Sequence, residues 1–158
     1  MTPLTQRALD IAVSQIGTKE LGRNRGLKVE AYQASVGLPA GSPWCYAYCY
    51  WVFERAAEEL AICPVDRLPR TGGVHKAFSR ARKLHLDTQL PTVGAVFCHD
   101  AGGGMGHAGV VESVDHESQT IGTIEGNTSE TGSREGNAVA RKVRPFGYVN
   151  LGFIVVGQ

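Results

Sequence analysis

The sequence contains no run of eighteen apolar residues, so it offers no candidate transmembrane helix. Its 16 Lys and Arg residues nearly balance its 15 Asp and Glu residues, and the formal net charge is only +1. Such a balance favours neither nucleic acid nor an anionic membrane surface as a partner. The first residues also lack the basic and then apolar pattern of a signal peptide. We therefore expect synthesis in the cytoplasm, without membrane insertion.

Cysteines are few, and none of them forms a Cys-x-x-Cys pair. Cys45 and Cys49 are separated by one helical turn, which is a poor geometry for a disulfide. We predict reduced thiols, while a bridge between Cys63 and Cys98 stays open on this reasoning.

Several cofactor motifs are missing as well. The glycine-rich segment 101–106 lacks the Gly-Lys-Ser/Thr ending of a phosphate-binding loop, so nucleotide binding is not expected. No His-Glu-x-x-His motif is present, and we predict neither a metal nor another cofactor. A zinc-dependent hydrolase remains an alternative, although strand alternation places Glu112 on the opposite face from His107. Its candidate ligands are His99, Asp100, His107, Glu112 and His116.

The 158 residues suit a single domain covering 1–158. Apolar residues recur at helical spacing in the first half, and at strand spacing after Pro91. Helices followed by an antiparallel sheet predict an α+β fold. The predicted helices are 4–16, 28–36, 45–60 and 74–81, and the predicted strands are 94–98, 107–114, 120–125, 138–144 and 149–156.

Cys45 is the first candidate for chemistry. Ser42 and Pro43 are typical of a helix start, which places Cys45 in the first turn of a helix running to about Leu60. Free N–H groups and the helix dipole favour a thiolate at such a position. Cys45 is therefore a candidate nucleophile; the alternative is a buried cysteine that only fills the core.

Two later segments supply possible partners for this thiol. Residues 115–118 form a polar break between two apolar runs, which predicts a hairpin. A turn centred near His116 pairs His107 with Glu125 to within a residue, and alternation puts Glu125 and Asn127 on one face. An imidazole with a carboxylate and an amide is the set that cysteine catalysis requires.

With these residues in place, the chain resembles the CHAP-domain cysteine hydrolases of the NlpC/P60, papain-like group. The resemblance rests on Gly41–Cys45, Gly106–Val111 and Ile124–Asn127, in that order. It implies a papain-like fold, with N-terminal helices packed on a C-terminal antiparallel sheet.

The same resemblance implies cleavage of amide bonds in bacterial peptidoglycan, by an N-acetylmuramoyl-L-alanine amidase or an endopeptidase. Cys45 would be the nucleophile, His107 the general base and acid, Glu125 the group that orients His107, and Asn127 a supporting polar residue. Two features depart from the family pattern. Ala47 stands where many members have an acidic residue, and no Asp-rich, calcium-binding loop precedes Cys45.

Five further residues are predicted to contact substrate. Gln33 or Tyr32 would supply a second oxyanion donor besides the backbone N–H of Cys45, as papain-like enzymes often do. The alternative is a Gln on the helix surface and a Tyr in the core. Trp44 adjoins the nucleophile. Arg70 and Arg134 would bind substrate carboxylates through their guanidinium groups, and the alternative is that they are solvated surface residues.

The expected partner is thus bacterial peptidoglycan. The expected setting is a phage lysin, or a secreted antibacterial effector with an immunity protein that inhibits it, acting on the wall after lysis or export. A catalytically inactive wall-binding module is the remaining alternative, although the complete Cys-His-Glu-Asn set argues against a decayed site.

Overall fold

A computed structural model describes residues 1–63, 68–128 and 136–157 of the chain. Four helices dominate the first half, as the spacing of apolar residues predicts. They are α1 (Pro3–Ser14), α2 (Leu27–Ser35), α3 (Cys45–Glu59) and α4 (Val74–Lys83). None of the described helices is both long enough and apolar enough to cross a membrane.

The second half forms one six-stranded sheet in which every pairing is antiparallel. Its strands are β1 (Asp87–Thr88), β2 (Val96–Gly102), β3 (Met105–Asp115), β4 (Thr120–Thr128), β5 (Ala138–Pro145) and β6 (Gly152–Ile154). They lie in the order β1-β6-β2-β3-β4-β5. The predicted α+β class is confirmed. The two-residue β1 was not predicted, because its sequence shows no strand pattern.

The sheet is covered on both faces, because its central strands carry consecutive apolar residues whose side chains point alternately to the two faces. On one face Cys98, Ala108, Val110 and Ile124 join the core formed by the helices. Residues of the other face form a smaller core, which contains Ala95, Phe97, Val111, Ile121 and Phe153. Helix α3 contacts both β3 and β4. This packing brings the beginning of α3 to the beginning of β3.

The β3–β4 hairpin forms as predicted, but its register differs. Val110 pairs with Ile124, so continuing the ladder by one residue sets Gly109, not His107, opposite Glu125. The turn includes residues 116–119, and a bulge lies between Val111 and Ser113. The later turn centre and the extra residue together move the pairing by two positions. His107 and Glu125 are therefore diagonal neighbours on one face.

The start of α3 also differs from the expectation. Trp44 is the N-cap residue, and none of the described side chains caps the helix. Ser42 instead donates its hydroxyl to the carbonyl of Pro39, at 2.7 Å. The helix N–H groups near Cys45 are consequently not consumed by a Ser42 side chain.

Candidate active site

Cys45 lies at the N-terminus of α3, with only 6% of its surface exposed. Its Sγ is 3.8 Å from the carbonyl oxygen of Gly106 at the beginning of β3. Burial acts to raise the pKa of this thiol, but His107 and the N–H groups of Ala108 and Tyr46 outweigh it and lower the pKa. The environment thus favours a thiolate, as an activated nucleophile requires.

His107 is completely buried in β3. Its Nε2 lies 2.7 Å from Oε2 of Glu125, while Nδ1 has no hydrogen-bond partner of good geometry among the described residues. Burial lowers the pKa of His107, but Cys45 and Glu125 together raise it to about 9. Nε2 is therefore committed to the carboxylate, and Nδ1 is the nitrogen left to exchange a proton with Cys45.

Glu125 is also completely buried, and both of its oxygens accept hydrogen bonds. Thr123 donates to Oε1 at 2.6 Å, and Arg144 donates to Oε1 from Nε at 2.9 Å and to Oε2 from Nη2 at 2.7 Å. Burial acts to raise the pKa of Glu125, yet Arg144 and His107 lower it to about 2. The carboxylate stays ionised at any working pH and holds the imidazole in one orientation.

Gly109 makes room for this diagonal contact. A Cβ placed on Gly109 would lie 2.6 Å from Cγ of Glu125 and 2.7 Å from Cε1 of Phe97. The ring of Phe97 packs near the imidazole, with centroids 5.9 Å apart. Glycine is therefore the residue that lets the Glu125 side chain cross β3 and reach His107.

Asn127 lies near the end of β4 and is 5% exposed. Its φ is +53°, and the pairing of β4 with β5 shifts between Glu125 and Thr128. Glu125 and Asn127 were predicted to share a face because side chains alternate strictly along a regular strand. That alternation does not continue through such a distortion. The supporting role of Asn127 stays a prediction.

A cleft of about 530 Å³ opens above Cys45. It is bordered by the loop before α3, the first turn of α4 and the β2–β3 turn. Its lining residues are Leu38, Pro43, Cys45, Thr71, Gly72, Gly73, Val74, His75, Lys76, Gly104, Met105 and Gly106. The glycine-rich β2–β3 turn forms one rim of the cleft. Two of the basic residues of α4, His75 and Lys76, also line the cleft, and no sequence pattern singled them out.

Gln33 has a different role from the predicted oxyanion donor. It is completely buried, and its Nε2 donates to the carbonyls of Asn24 and Ser42, both at 2.8 Å. Both N–H bonds are used, so neither is left for an oxyanion. Gln33 instead ties the loop before the nucleophile to α2.

Tyr32 and Trp44 are likewise buried away from the cleft. The hydroxyl of Tyr32 donates to Oε1 of Gln15 at 2.8 Å, and the indole N–H of Trp44 donates to Oε1 of Glu20 at 2.8 Å. Their rings pack together, with centroids 5.7 Å apart. Packing takes up both rings, and neither residue is among those that line the cleft. Their contact with substrate stays a prediction.

Arg70 precedes the cleft residue Thr71, but its Nε donates to the carbonyl of Ser35 at 2.8 Å. This bond orients the guanidinium toward the end of α2. Arg134 lies outside the described residues, so its predicted contact with substrate is not addressed.

The candidate zinc ligands engage in other contacts. His99 stacks on Tyr148, Asp100 pairs with His75, and Glu112 forms a bidentate pair with Arg141. His116 lies in the β3–β4 turn with its ring against Phe146. Within the described ranges, no three His, Cys, Asp or Glu residues come together in a metal-binding group. The alternative zinc site therefore has no geometry to support it there.

The other cysteines are free thiols. Cys63 is exposed, whereas Cys98 is buried, so the bridge between them that was left open is not formed. Burial raises the pKa of Cys98 and of Cys49 well above the usual range, and the nearby Cys45 raises both further. Cys49 and Cys98 are consequently held as neutral thiols within the core.

Two residues that contact Glu125, Thr123 and Arg144, were missed by sequence reasoning. Thr123 lies two positions before Glu125, so the period of two already places both side chains on one face. Arg144 lies on β5, opposite Ile121 of β4. Placing it beside Glu125 requires the β4–β5 register, which the sequence alone does not give.

The chain and its fold are similar to known proteins. The family model of the CHAP domain matches residues 37–127, more than half of the chain. The crystal structure of Ly7917 is similar, with a TM-score of 0.55 and 16% identity, covering 96% of this chain and 62% of that one. The structure of Ly7917 with the hydrolyzing product of MDP has a TM-score of 0.52 and 17% identity, covering 95% and 60%. This chain thus spans less than two thirds of the length of those structures. No curated protein matches the sequence.

Proposed function

This chain belongs to the CHAP domain family, and from that premise we propose that it is a peptidoglycan hydrolase. The bond cleaved is an amide of the stem peptide or of its cross-bridge. One observation carries the proposal: a thiol at the start of α3 meets a buried imidazole whose other nitrogen is held by an ionised carboxylate. That arrangement is the one a thiol acyl-transfer enzyme needs.

In the proposed reaction, Cys45 and His107 form a thiolate–imidazolium pair before the substrate reacts. The thiolate attacks the amide carbonyl, and the electron pair of the C=O bond moves onto the carbonyl oxygen. The backbone N–H of Cys45, at a helix start that no described side chain caps, stabilises this oxyanion. Gln33 is not assigned this task, because its amide is already committed.

His107 then gives its Nδ1 proton to the leaving amine as the C–N bond breaks. A thioester remains on Cys45, and the neutral imidazole takes a proton from an incoming water molecule. The resulting hydroxide attacks the thioester, the C–S bond breaks and a carboxylic acid leaves, which restores the Cys45 thiolate beside the protonated His107. Glu125 stays ionised throughout and keeps Nε2 protonated, so Nδ1 remains the working nitrogen.

The cleft supports an extended, peptide-like substrate. It runs past Cys45 between backbone-rich walls, where Gly72, Gly73 and Gly104 leave little side-chain bulk. Ly7917, which shares the fold, has been observed with a hydrolyzing product of MDP. We infer a related substrate class for this chain.

The first test is incubation of isolated peptidoglycan sacculi with wild-type protein and with Cys45→Ala, reading the released fragments by mass spectrometry. We expect fragments from the wild type alone. Free stem peptides would identify an amidase, and new peptide N-termini an endopeptidase. Equal release by both proteins would refute a thiol mechanism.

Two treatments separate the alternatives. Alkylation by iodoacetamide should abolish activity, and chelation by EDTA should leave it unchanged; a zinc hydrolase would behave in the opposite way. A wall-binding module without activity would retain affinity for sacculi and release nothing.

The setting of the reaction follows from where peptidoglycan is found. We infer action on the cell wall, either after phage lysis or after export as an antibacterial effector. In the second case a producing cell needs an inhibitor that covers the cleft, so co-purification of a neighbouring-gene product that blocks Cys45 alkylation would favour the effector.

A further inference from the structure

Arg144 is the only strong cation in direct contact with the catalytic carboxylate among the described residues. It makes two hydrogen bonds to Glu125, one to each oxygen. Its side chain is 12% exposed, and its guanidinium lies 4.5 Å from the centroid of the Tyr148 ring. The arginine is therefore held in place from a second side as well.

The two bonds are not equivalent. Oε2 of Glu125 accepts from Nη2 of Arg144 and from Nε2 of His107, both at 2.7 Å. Arg144 and His107 thus share one carboxylate oxygen. A fork of two parallel N–H groups also fixes the plane of the carboxylate, which a single point charge does not.

We propose that Arg144 is a positioning residue of the active site, which fixes the plane of Glu125 and limits how strongly that carboxylate holds the His107 proton. The functional unit is then Cys45, His107, Glu125 and Arg144, contributed by α3 and by three adjacent strands. The inference rests on the proposed thiol mechanism.

The physical argument concerns charge balance in a buried site. A fully buried carboxylate with no second cation would stabilise the imidazolium strongly, because the local dielectric constant is low. The general-acid step would then be slow, since His107 must release its proton to the leaving amine. Arg144 offsets part of this attraction while keeping Glu125 ionised.

Other ionisable groups also act on this site. Cys45 contributes to the raised pKa of His107, while His99 of β2 is itself affected by His107 and Arg144. Tyr148 contacts both Arg144 and His99. Cys49 lies on the α3 side, where Glu125 raises its pKa. Of these groups only Arg144 is a permanent cation.

The test compares Arg144→Met, which keeps an unbranched stem and removes the guanidinium charge, with Arg144→Lys, which keeps the charge and removes the fork. The His107 pKa and tautomer are read by ¹⁵N NMR of histidine-labelled protein, with His107→Gln to assign the signal. We expect Arg144→Met to raise the His107 pKa by roughly 0.5–1 unit. Arg144→Lys should lie between Arg144→Met and the wild type.

The kinetic expectation follows from the same argument. Arg144→Met should lower kcat roughly 10- to 100-fold with little change in KM, because Arg144 does not line the cleft. Arg144→Lys should recover part of this loss. If Arg144 had only a structural role, the Arg144→Met substitution would lower Tm but leave the pKa and tautomer of His107 as in the wild type.

A double-mutant cycle with Glu125→Gln gives the decisive comparison. If Arg144 acts through Glu125, then Arg144→Met should cost little further activity in the Glu125→Gln background. The double variant leaves no unpaired buried charge, so it remains informative if Arg144→Met alone does not fold. Additive losses, or an unchanged His107 titration in folded Arg144→Met, would overturn the proposal.

The NMR titration and the pH dependence of Cys45 alkylation require no substrate. If peptidoglycan were the wrong substrate, activity would be absent in the wild type too, whereas the His107 shift in Arg144→Met would persist. Failure of the proposed function and failure of this inference are therefore distinguishable.

Discussion

The two ring nitrogens of His107 have different environments, and this difference defines the chemistry of the residue. Nε2 is hydrogen-bonded to an ionised carboxylate, while Nδ1 is left facing the thiol. A histidine with equal environments on both nitrogens would exchange tautomers and lose its fixed direction for proton transfer. The tautomer here is set by Glu125.

The raised pKa of His107 predicts the alkaline limit of activity. In the proposed mechanism the reactive state needs a Cys45 thiolate and a protonated His107, so activity should rise with pH as the thiol ionises and fall as His107 loses its proton. Because the His107 pKa is about 9, we expect kcat/KM to stay high through pH 8 and decline around pH 9. A decline already centred near pH 6.5 would show that the ion pair does not form.

Gly109 predicts a steric effect on the same contact. In Gly109→Ala the new Cβ would overlap Cγ of Glu125 and the ring of Phe97. We expect a loss of about 1–3 kcal/mol in the free energy of unfolding, and a loss of activity. Gly147→Ala is the matched control, since a Cβ there has nothing within 4 Å. Stability is measured by denaturant titration and activity by assay for both variants. Equal losses in Gly109→Ala and Gly147→Ala would contradict the steric argument.

At this scale the sequence predicts residue types better than contacts. Cys45, His107 and Glu125 could be selected because their chemistry and order are informative. Arg144 could not, because its pairing with Glu125 depends on a β4–β5 register that contains an irregularity between Glu125 and Thr128. The sequence made Gln33 a candidate oxyanion donor because of its side-chain amide. Both N–H groups of that amide are instead bonded to backbone carbonyls, which the sequence does not reveal.

Among the elements, α3 and α4 meet at the cleft by their N-terminal turns. Helix α3 brings Cys45, the proposed nucleophile, and the first turn of α4 brings His75 and Lys76. His75 is paired with Asp100 at 3.1 Å, so Lys76 is the stronger candidate for attracting an anionic substrate group. The cleft is thus basic on its α4 side.

This placement predicts a role for Lys76 in substrate binding. Lys76→Gln should raise KM for carboxylate-bearing peptides roughly 3- to 10-fold with little change in kcat, because a charge contact in bound substrate is lost. Lys83→Gln is the control, since Lys83 lies on the same helix but outside the cleft. Steady-state kinetics give KM for both variants. An equal KM for Lys76→Gln and Lys83→Gln would rule out a contact between Lys76 and the substrate.

The hairpin shows why elements are easier to predict than their alignment. Apolar runs and the polar break at residues 115–118 are enough to predict β3, β4 and the turn between them. The bulge between Val111 and Ser113 leaves no comparable signal, because Glu112 is an ordinary residue for a partly exposed strand position. The predicted register was wrong by two residues. Because side chains alternate with a period of two, His107 and Glu125 still lie on one face, and the predicted contact between them forms.

In the whole molecule, the ionised Glu125 links the active site to stability in acid. Its pKa is about 2 when folded and about 4.5 otherwise, so the unfolded chain binds more protons below pH 4.5. The stabilisation is complete above pH 4.5 and is lost as pH falls toward 2, by up to about 3 kcal/mol. Urea titrations across this range should show the decline, and it should be shallower in Glu125→Gln. Equal slopes would contradict the linkage.

The three buried sulfurs of the core have a consequence for oxidative damage. A peroxide that reaches the Cys45 thiolate would form a sulfenic acid, which another thiolate must attack for recovery. Cys49 and Cys98 lie nearby, but burial keeps both protonated and therefore unreactive. The molecule has no internal resolving thiol in its described core, so we expect early oxidation to be reversed by added dithiothreitol and not by the protein itself. An enzyme of this design would depend on its surroundings for redox repair.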